Sequence, residues 1–158
     1  MNRFRDQGFT LLELIIVVLL ISLALAVTYP SLSRVTTSIR LRSTARDILN
    51  TFRTAREKAV TEQAGMQVLV DRVKQELVLS DDLGDGVRRY RLPEDVRIHS
   101  IVSGGTEITD GPLVVRFLPN GSAQNAEVLL ESKTGGHLKI VTDPITGGAR
   151  IESAENTR

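Results

Sequence analysis

The chain has no cysteine. That removes disulfide stapling and thiol chemistry together, so any folded part must hold itself by core packing alone. It has no strong net charge either: 20 Lys and Arg stand against 19 Asp and Glu, which gives no overall attraction to nucleic acid. No nucleophile constellation, phosphate-binding loop or dinucleotide fingerprint is present; Gly104-Gly105 and Gly135-Gly136 read as turns. The two histidines, His99 and His137, stand alone in sequence, without a paired acid at metal-ligand spacing. These absences predict neither enzyme activity nor a cofactor nor a metal.

What the chain does have is a long apolar run, Phe9 to Val27, interrupted by a single ionisable residue, Glu13. As a helix this run is roughly 28 Å long, close to the hydrocarbon thickness of a bilayer. A carboxylate near the end of such a helix is costly and demands a reason. Ahead of it lies a polar leader, Met1 to Gln7, carrying Arg3 and Arg5 and followed by Gly8. A secretory signal would use Arg3 and Arg5 as its charged region and Ala24-Leu25-Ala26 as its cleavage site, but it leaves Glu13 and the Gly8-Phe9 junction unexplained. A plain anchor leaves Glu13 unexplained as well. Arg34, Arg40, Arg42 and Arg46 outnumber the leader's arginines, so loop charge alone would place the N-terminus outside.

Tyr29-Pro30 closes the apolar run, and Pro30 predicts a kink rather than a stop. Beyond it, Leu32, Val35, Ile39, Ala45, Ile48, Leu49, Phe52, Ala55, Ala59 and Val60 recur mostly three or four apart. This spacing predicts one helix from about Phe9 to Gln63 or Ala64, amphipathic in its second half and stopped by Gly65. From Gly65 onward the pattern alternates. Strands are expected at 66–70, 76–79, 87–92, 96–102, 113–118, 126–131, 138–142 and about Arg150, with loops at 81–86 and 103–112. Charge follows the same division: seven basic and three acidic residues over 31–64, eleven basic and fourteen acidic from Gly65. The fold class is α+β, a long hydrophobic-then-amphipathic N-terminal helix packed against an antiparallel β-sheet head.

Gly8-Phe9-Thr10-Leu11-Leu12-Glu13, running into an unbroken apolar stretch, resembles the processing site of type IV prepilins and of the pseudopilins of type II secretion. The resemblance implies cleavage after Gly8 by a prepilin peptidase and N-methylation of Phe9. It also implies a single-pass inner-membrane protein with a periplasmic head, assembled into a filament. On that reading residues 1–8 are the leader, 9–30 the transmembrane and assembly half of the helix, and 31–158 the head with the amphipathic half. The implied partners are other pseudopilins or pilins through the helix, the peptidase and inner-membrane lipid. Glu13 is implied in filament assembly, pairing with the terminal amine of a neighbouring subunit. Many major pilins close a C-terminal loop with a disulfide; this chain has no cysteine for one and is closer to the minor members.

The head adds a second resemblance. Phe52-Arg53-Thr54-Ala55-Arg56-Glu57-Lys58-Ala59-Val60, then Phe117-Leu118-Pro119-Asn120-Gly121-Ser122 and Asp143-Pro144-Ile145-Thr146-Gly147, are similar to the GspH/FimT family of minor pseudopilins and pilins. It implies a structural subunit of a type II secretion pseudopilus. The alternatives are a minor type IV pilin acting in pilus assembly or DNA uptake, and an anchored β-domain that never polymerises.

Two features invite other chemistry. Asp81 to Gly86 is an acidic loop, but Leu83 and Leu92 stand where a calcium loop needs oxygen ligands, so a solvated turn is expected. Arg88-Arg89-Tyr90-Arg91 is basic, yet a strand splits it between two faces in an acidic head. DNA is not expected as a partner.

Overall fold

The structure, a computed structural model, describes residues 9–86 and 88–153, with only the backbone described over 26–35. The chain divides into two compact units, Met1–Thr36 and Thr37–Arg158. One helix, α1 (Leu11–Glu62), runs on through Pro30.

In the first unit Thr10 caps α1: its hydroxyl oxygen accepts the backbone N–H of Glu13 at 3.2 Å. The large apolar side chains from Phe9 to Leu25 are all exposed, from 41% at Val17 to 77% at Phe9. Among the described residues no helix is long and apolar enough to cross a membrane. The described apolar side chains end at Leu25, about 22 Å of helix from Leu11 and short of the ~30 Å hydrocarbon core. The membrane half expected over 9–30 therefore stands on the sequence alone.

The second unit is the head. Its strands are β1 (Met66–Asp71), β2 (Glu76–Asp81), β3 (Arg88–Arg91), β4 (Val96–Ser103), β5 (Thr106–Glu107), β6 (Leu113–Phe117), β7 (Ala126–Ser132), β8 (His137–Thr142) and β9 (Ala149–Ser153). They form two antiparallel sheets, ordered β3-β2-β1-β6 and β5-β4-β7-β8-β9. Alternating burial along β7 and β1 gives each sheet one inner face. Against these faces lies the helix stripe Leu41, Thr44, Ala45, Ile48, Phe52, Ala55 and Ala59, all buried. Phe52 and Phe117 meet with ring centroids 5.9 Å apart, tilted at 48°.

Three expectations need correction. The stripe passes through Leu41, not Ile39, which is 62% exposed; the expected series had drifted off the 3.6-residue period at that end. The left-handed residue after α1 is Gln63 (φ 51), not Gly65. The Gln63 side-chain amide donates to Val60 O at 2.6 Å and braces that turn. A Cβ on Gly65 would meet the carboxylate of the exposed Asp82, which would have to swing aside. Residues 103–112, expected as loop, hold β5, which pairs with the end of β4 across the Gly104-Gly105 turn.

Gln75 joins the two sheets. Its Oε1 accepts Ile98 N–H at 2.6 Å, and its own carbonyl accepts Leu92 N–H at 2.9 Å. The first bond falls where the β4–β7 register shifts between Ile98 and Ser100, so the amide satisfies a donor at the bulge.

Candidate functional site

Gly8 lies outside the described residues. Phe9 precedes the first turn of α1, and Glu13 sits within it. Thr10-Leu11-Leu12-Glu13 has capping-box spacing, and a carboxylate in a first turn faces the positive end of the helix dipole. Glu13 thus suits the local helix start. Among the described residues, however, no basic side chain pairs with its carboxylate. Beside it Leu11, Leu12, Leu14 and Ile15 are more than half exposed. A contiguous apolar face of this kind, with one acid at its end, needs lipid or a neighbouring chain to cover it.

In the head the three segments that resemble the GspH/FimT pattern meet at one place. Asn120 shapes its turn by accepting Ser122 N–H on its side-chain oxygen at 3.0 Å. Asp143 does the same for Ile145 and Thr146, at 2.9 Å each. Those two backbone donors hold the Asp143 carboxyl below its ordinary range. Arg56 of α1 donates from Nε to Gly121 O at 3.3 Å. Gly147, at φ 61, passes so close that a Cβ would run into that same carbonyl. The shared sequence pattern is the docking of two turns on the end of α1.

The basic cluster is divided as expected. Tyr90 turns towards α1 and donates to Asp47 Oδ2 at 3.0 Å. Burial, and then that acidic partner, push its phenol up to about 12. Arg89 and Arg91 reach the buried Glu76 carboxylate at 3.7 and 3.9 Å, and Arg150 is held by Glu152 at 2.7 Å. In the loop Asp81–Gly86, Asp81 Oδ1 accepts Leu83 N–H at 3.0 Å and Asp85 N–H at 2.7 Å. That oxygen closes the turn.

His99 and His137 are not alone in space. The bulge in β4 sets His99 beside β7, where its Nδ1 lies 3.0 Å from Glu131 Oε2. His137, opposite Glu131 in the β7–β8 register, has its Nε2 3.8 Å from Oε1. The rings stand edge to face at 6.1 Å. Arg97 donates to Glu131 Oε2 from Nε and Nη2 at 2.9 and 2.7 Å, and this bond first holds the Glu131 carboxyl below its usual value. Among the described residues no group of three His, Cys, Asp or Glu is arranged to hold a metal. Strand pairing makes the cluster, over separations that no local spacing reveals.

A capped helix with a bare apolar end, carrying a head of two antiparallel sheets on its second half, is the architecture of a pilin-like subunit. Residues 44–147 match the family described as type II transport protein GspH, and residues 3–29 match the prokaryotic N-terminal methylation motif. The chain belongs to the GspH family of type II transport proteins. Two solved structures of the minor pseudopilin EpsH from the type 2 secretion system of Vibrio cholerae share its fold. One is 13% identical, with a TM-score of 0.61, covering 75% of this chain and 99% of that one. The other is 12% identical, with a TM-score of 0.60, covering 75% and 97%. No curated protein matches the chain in sequence.

Proposed function

We propose that the protein is a minor pseudopilin, a structural subunit of the short periplasmic filament of a type II secretion system. The observation that carries this reading is the union, on one chain, of the methylation motif over 3–29 and the GspH match over 44–147. A prepilin peptidase would cut after Gly8, and methylation would follow at Phe9. Phe9 to Pro30 then anchors the chain in the inner membrane, with Pro30 bending α1, and the head lies in the periplasm. This assigns the protein to assembly rather than to catalysis.

Glu13 gives the filament its register. A charged side chain at the centre of a membrane helix costs about 2.5–3.5 kcal/mol on insertion scales, less towards the end. Cleavage creates an amine on Phe9, four residues before Glu13. Among staggered helices, the amine of one subunit can reach the carboxylate of the next at one stagger, and other staggers leave a charge unpaired in hydrocarbon. Intact mass and N-terminal sequencing of membrane-derived protein test the processing. A methylated Phe9 terminus is expected; a terminus at Val27 would overturn the reading in favour of a secretory signal.

A further inference from the structure

We propose that the outer edge of β3 takes up an extended acidic segment of a different pseudopilin, which joins the first sheet as a further strand in the groove between β3 and α1. This deepens the assembly reading and rests on it. β3 closes one side of its sheet, ordered β3-β2-β1-β6. Leu92 N–H donates to Gln75 O at 2.9 Å, one step beyond the Glu76–Arg91 pair. Bonded and unbonded pairs alternate along an antiparallel ladder, so Tyr90 and Arg88 turn their backbone groups to β2. The same alternation follows from the other side of β2, where Asp82 N–H donates to Gly65 O. The N–H and C=O groups of Arg89 and Arg91 therefore face outward, and among the described residues nothing pairs with them.

A groove of about 330 Å³ lies beside that edge, with Tyr90 and Arg91 of β3 and Ser43 and Thr44 of α1 in its lining. Tyr90 is tied to Asp47 of α1 at 3.0 Å, so the edge is preformed and little order is lost when a strand is added. Other sheet edges are less suited. Gln124 N–H donates to Arg116 O at 2.8 Å and covers the outer side of β6. β5 has two residues. β9 pairs its own charges, Arg150 with Glu152.

Charge decides what kind of strand β3 accepts. Arg88, Arg89 and Arg91 stand against one carboxylate, the buried Glu76, which lies 3.7 Å from Arg89 and 3.9 Å from Arg91. Arg88 has no acidic partner among the described residues. A charged edge is the ordinary guard against uncontrolled strand pairing. Here it excludes a second copy, because two β3 edges side by side would set three arginines against three. An acidic strand from another chain is attracted instead. Four residues of strand span roughly 13 Å. So small a contact depends on the high local concentration that a filament provides.

The test keeps that filament intact. The full-length chain is expressed in cells carrying the complete secretion system, with a photoreactive phenylalanine analogue at Ser43, across the groove from β3. Light fixes its contacts in the membrane, and mass spectrometry identifies the adduct. An adduct with a different pseudopilin is expected, on a peptide rich in Asp or Glu. Arg88→Glu with Arg91→Glu should lower its yield about three- to tenfold, as for two exposed ion pairs. Exchanging the acids of that peptide for Arg should restore it. Arg89→Pro removes an outward N–H and leaves the β2–β3 ladder whole, so it should abolish the adduct as well. No adduct, an adduct with a second copy of this chain or with a secreted protein, or a yield indifferent to charge reversal or to Arg89→Pro would overturn the strand addition. Helix crosslinks that depend on Glu13 would survive such a failure, so it would leave the assembly reading standing.

Discussion

Arg56 donates from Nε to the carbonyl of Gly121 at 3.3 Å, across 65 residues of sequence, and Gly147 closes over that same carbonyl. Helix and two turns thus meet at one carbonyl. Removing the donor with Arg56→Ala should cost about 1 kcal/mol. Gly147→Ala should cost more, about 2–3 kcal/mol, because it adds a clash to an unfavourable left-handed backbone. Gly135→Ala isolates the backbone part: φ is 82 and a Cβ would meet nothing within 4 Å, so about 1 kcal/mol is expected. Urea denaturation of residues 31–158 gives all three values.

That fragment should fold by itself. The buried stripe from Leu41 to Ala59 and both sheets lie within the unit Thr37–Arg158. Circular dichroism should show mixed helix and strand, with one cooperative melt that a chelator does not shift. A gradual melt with strong dye binding would mean that the core needs the rest of the chain.

Acid should weaken the head through Glu131. Its folded-state carboxyl is held low, first by Arg97. The stabilisation is therefore present above the unfolded value of about 4.3 and is lost as pH falls through the lower folded value. Melting temperature should drop as pH falls from about 5 to 3. Arg97→Ala should flatten that drop, leaving the contributions of Asp143 and Glu152, whose carboxyls are also lowered.

Alkali should act through Tyr90, by the opposite sign. Its phenol is raised to about 12, so the folded state holds the proton more tightly than the unfolded chain does. That contribution is complete below about pH 10 and disappears as pH rises through about 12. Tyr90→Phe should lower stability at neutral pH, since it removes the bond to Asp47. It should also abolish this tyrosine's share of the alkaline loss. Denaturation curves at pH 7 and pH 11 compare the two proteins.

Local rules reached the elements of the head and its turns. Period-two alternation from Met66 onward, and glycine or Asn-Gly punctuation, located eight of the nine strands found among the described residues. β5 escaped because two residues, Thr106 and Glu107, are too few to show a period. The left-handed Gln63 escaped because its side-chain bond to Val60 offsets a conformation expected of glycine. Distance hid more. Nothing in the local sequence brings His99, Glu131 and His137 together; only the β4 bulge and the β7–β8 register do so. Gln75 reads as an ordinary turn residue until its bond to Ile98 shows it linking the sheets. The Thr10 cap was not read from the sequence, although Thr10-Leu11-Leu12-Glu13 carries the spacing that would have shown it within one turn.

On the proposed function, Glu13 serves assembly and nothing before it. Its carboxylate has no basic partner among the described residues, the proposed peptidase junction precedes it, and its loss makes the apolar run more apolar. Glu13→Ala should therefore be cleaved after Gly8 and inserted into the membrane like the parent. Glu13→Gln, which keeps shape without charge, should be intermediate at best. The most direct measurement is in-membrane crosslinking through engineered cysteines in α1 between this subunit and its filament neighbours, with secretion followed in the same cells. Normal processing of Glu13→Ala, loss of the helix crosslinks and reduced secretion are expected. Crosslinks and secretion equal to the parent's would contradict this reading and make the carboxylate a passenger on a simple anchor.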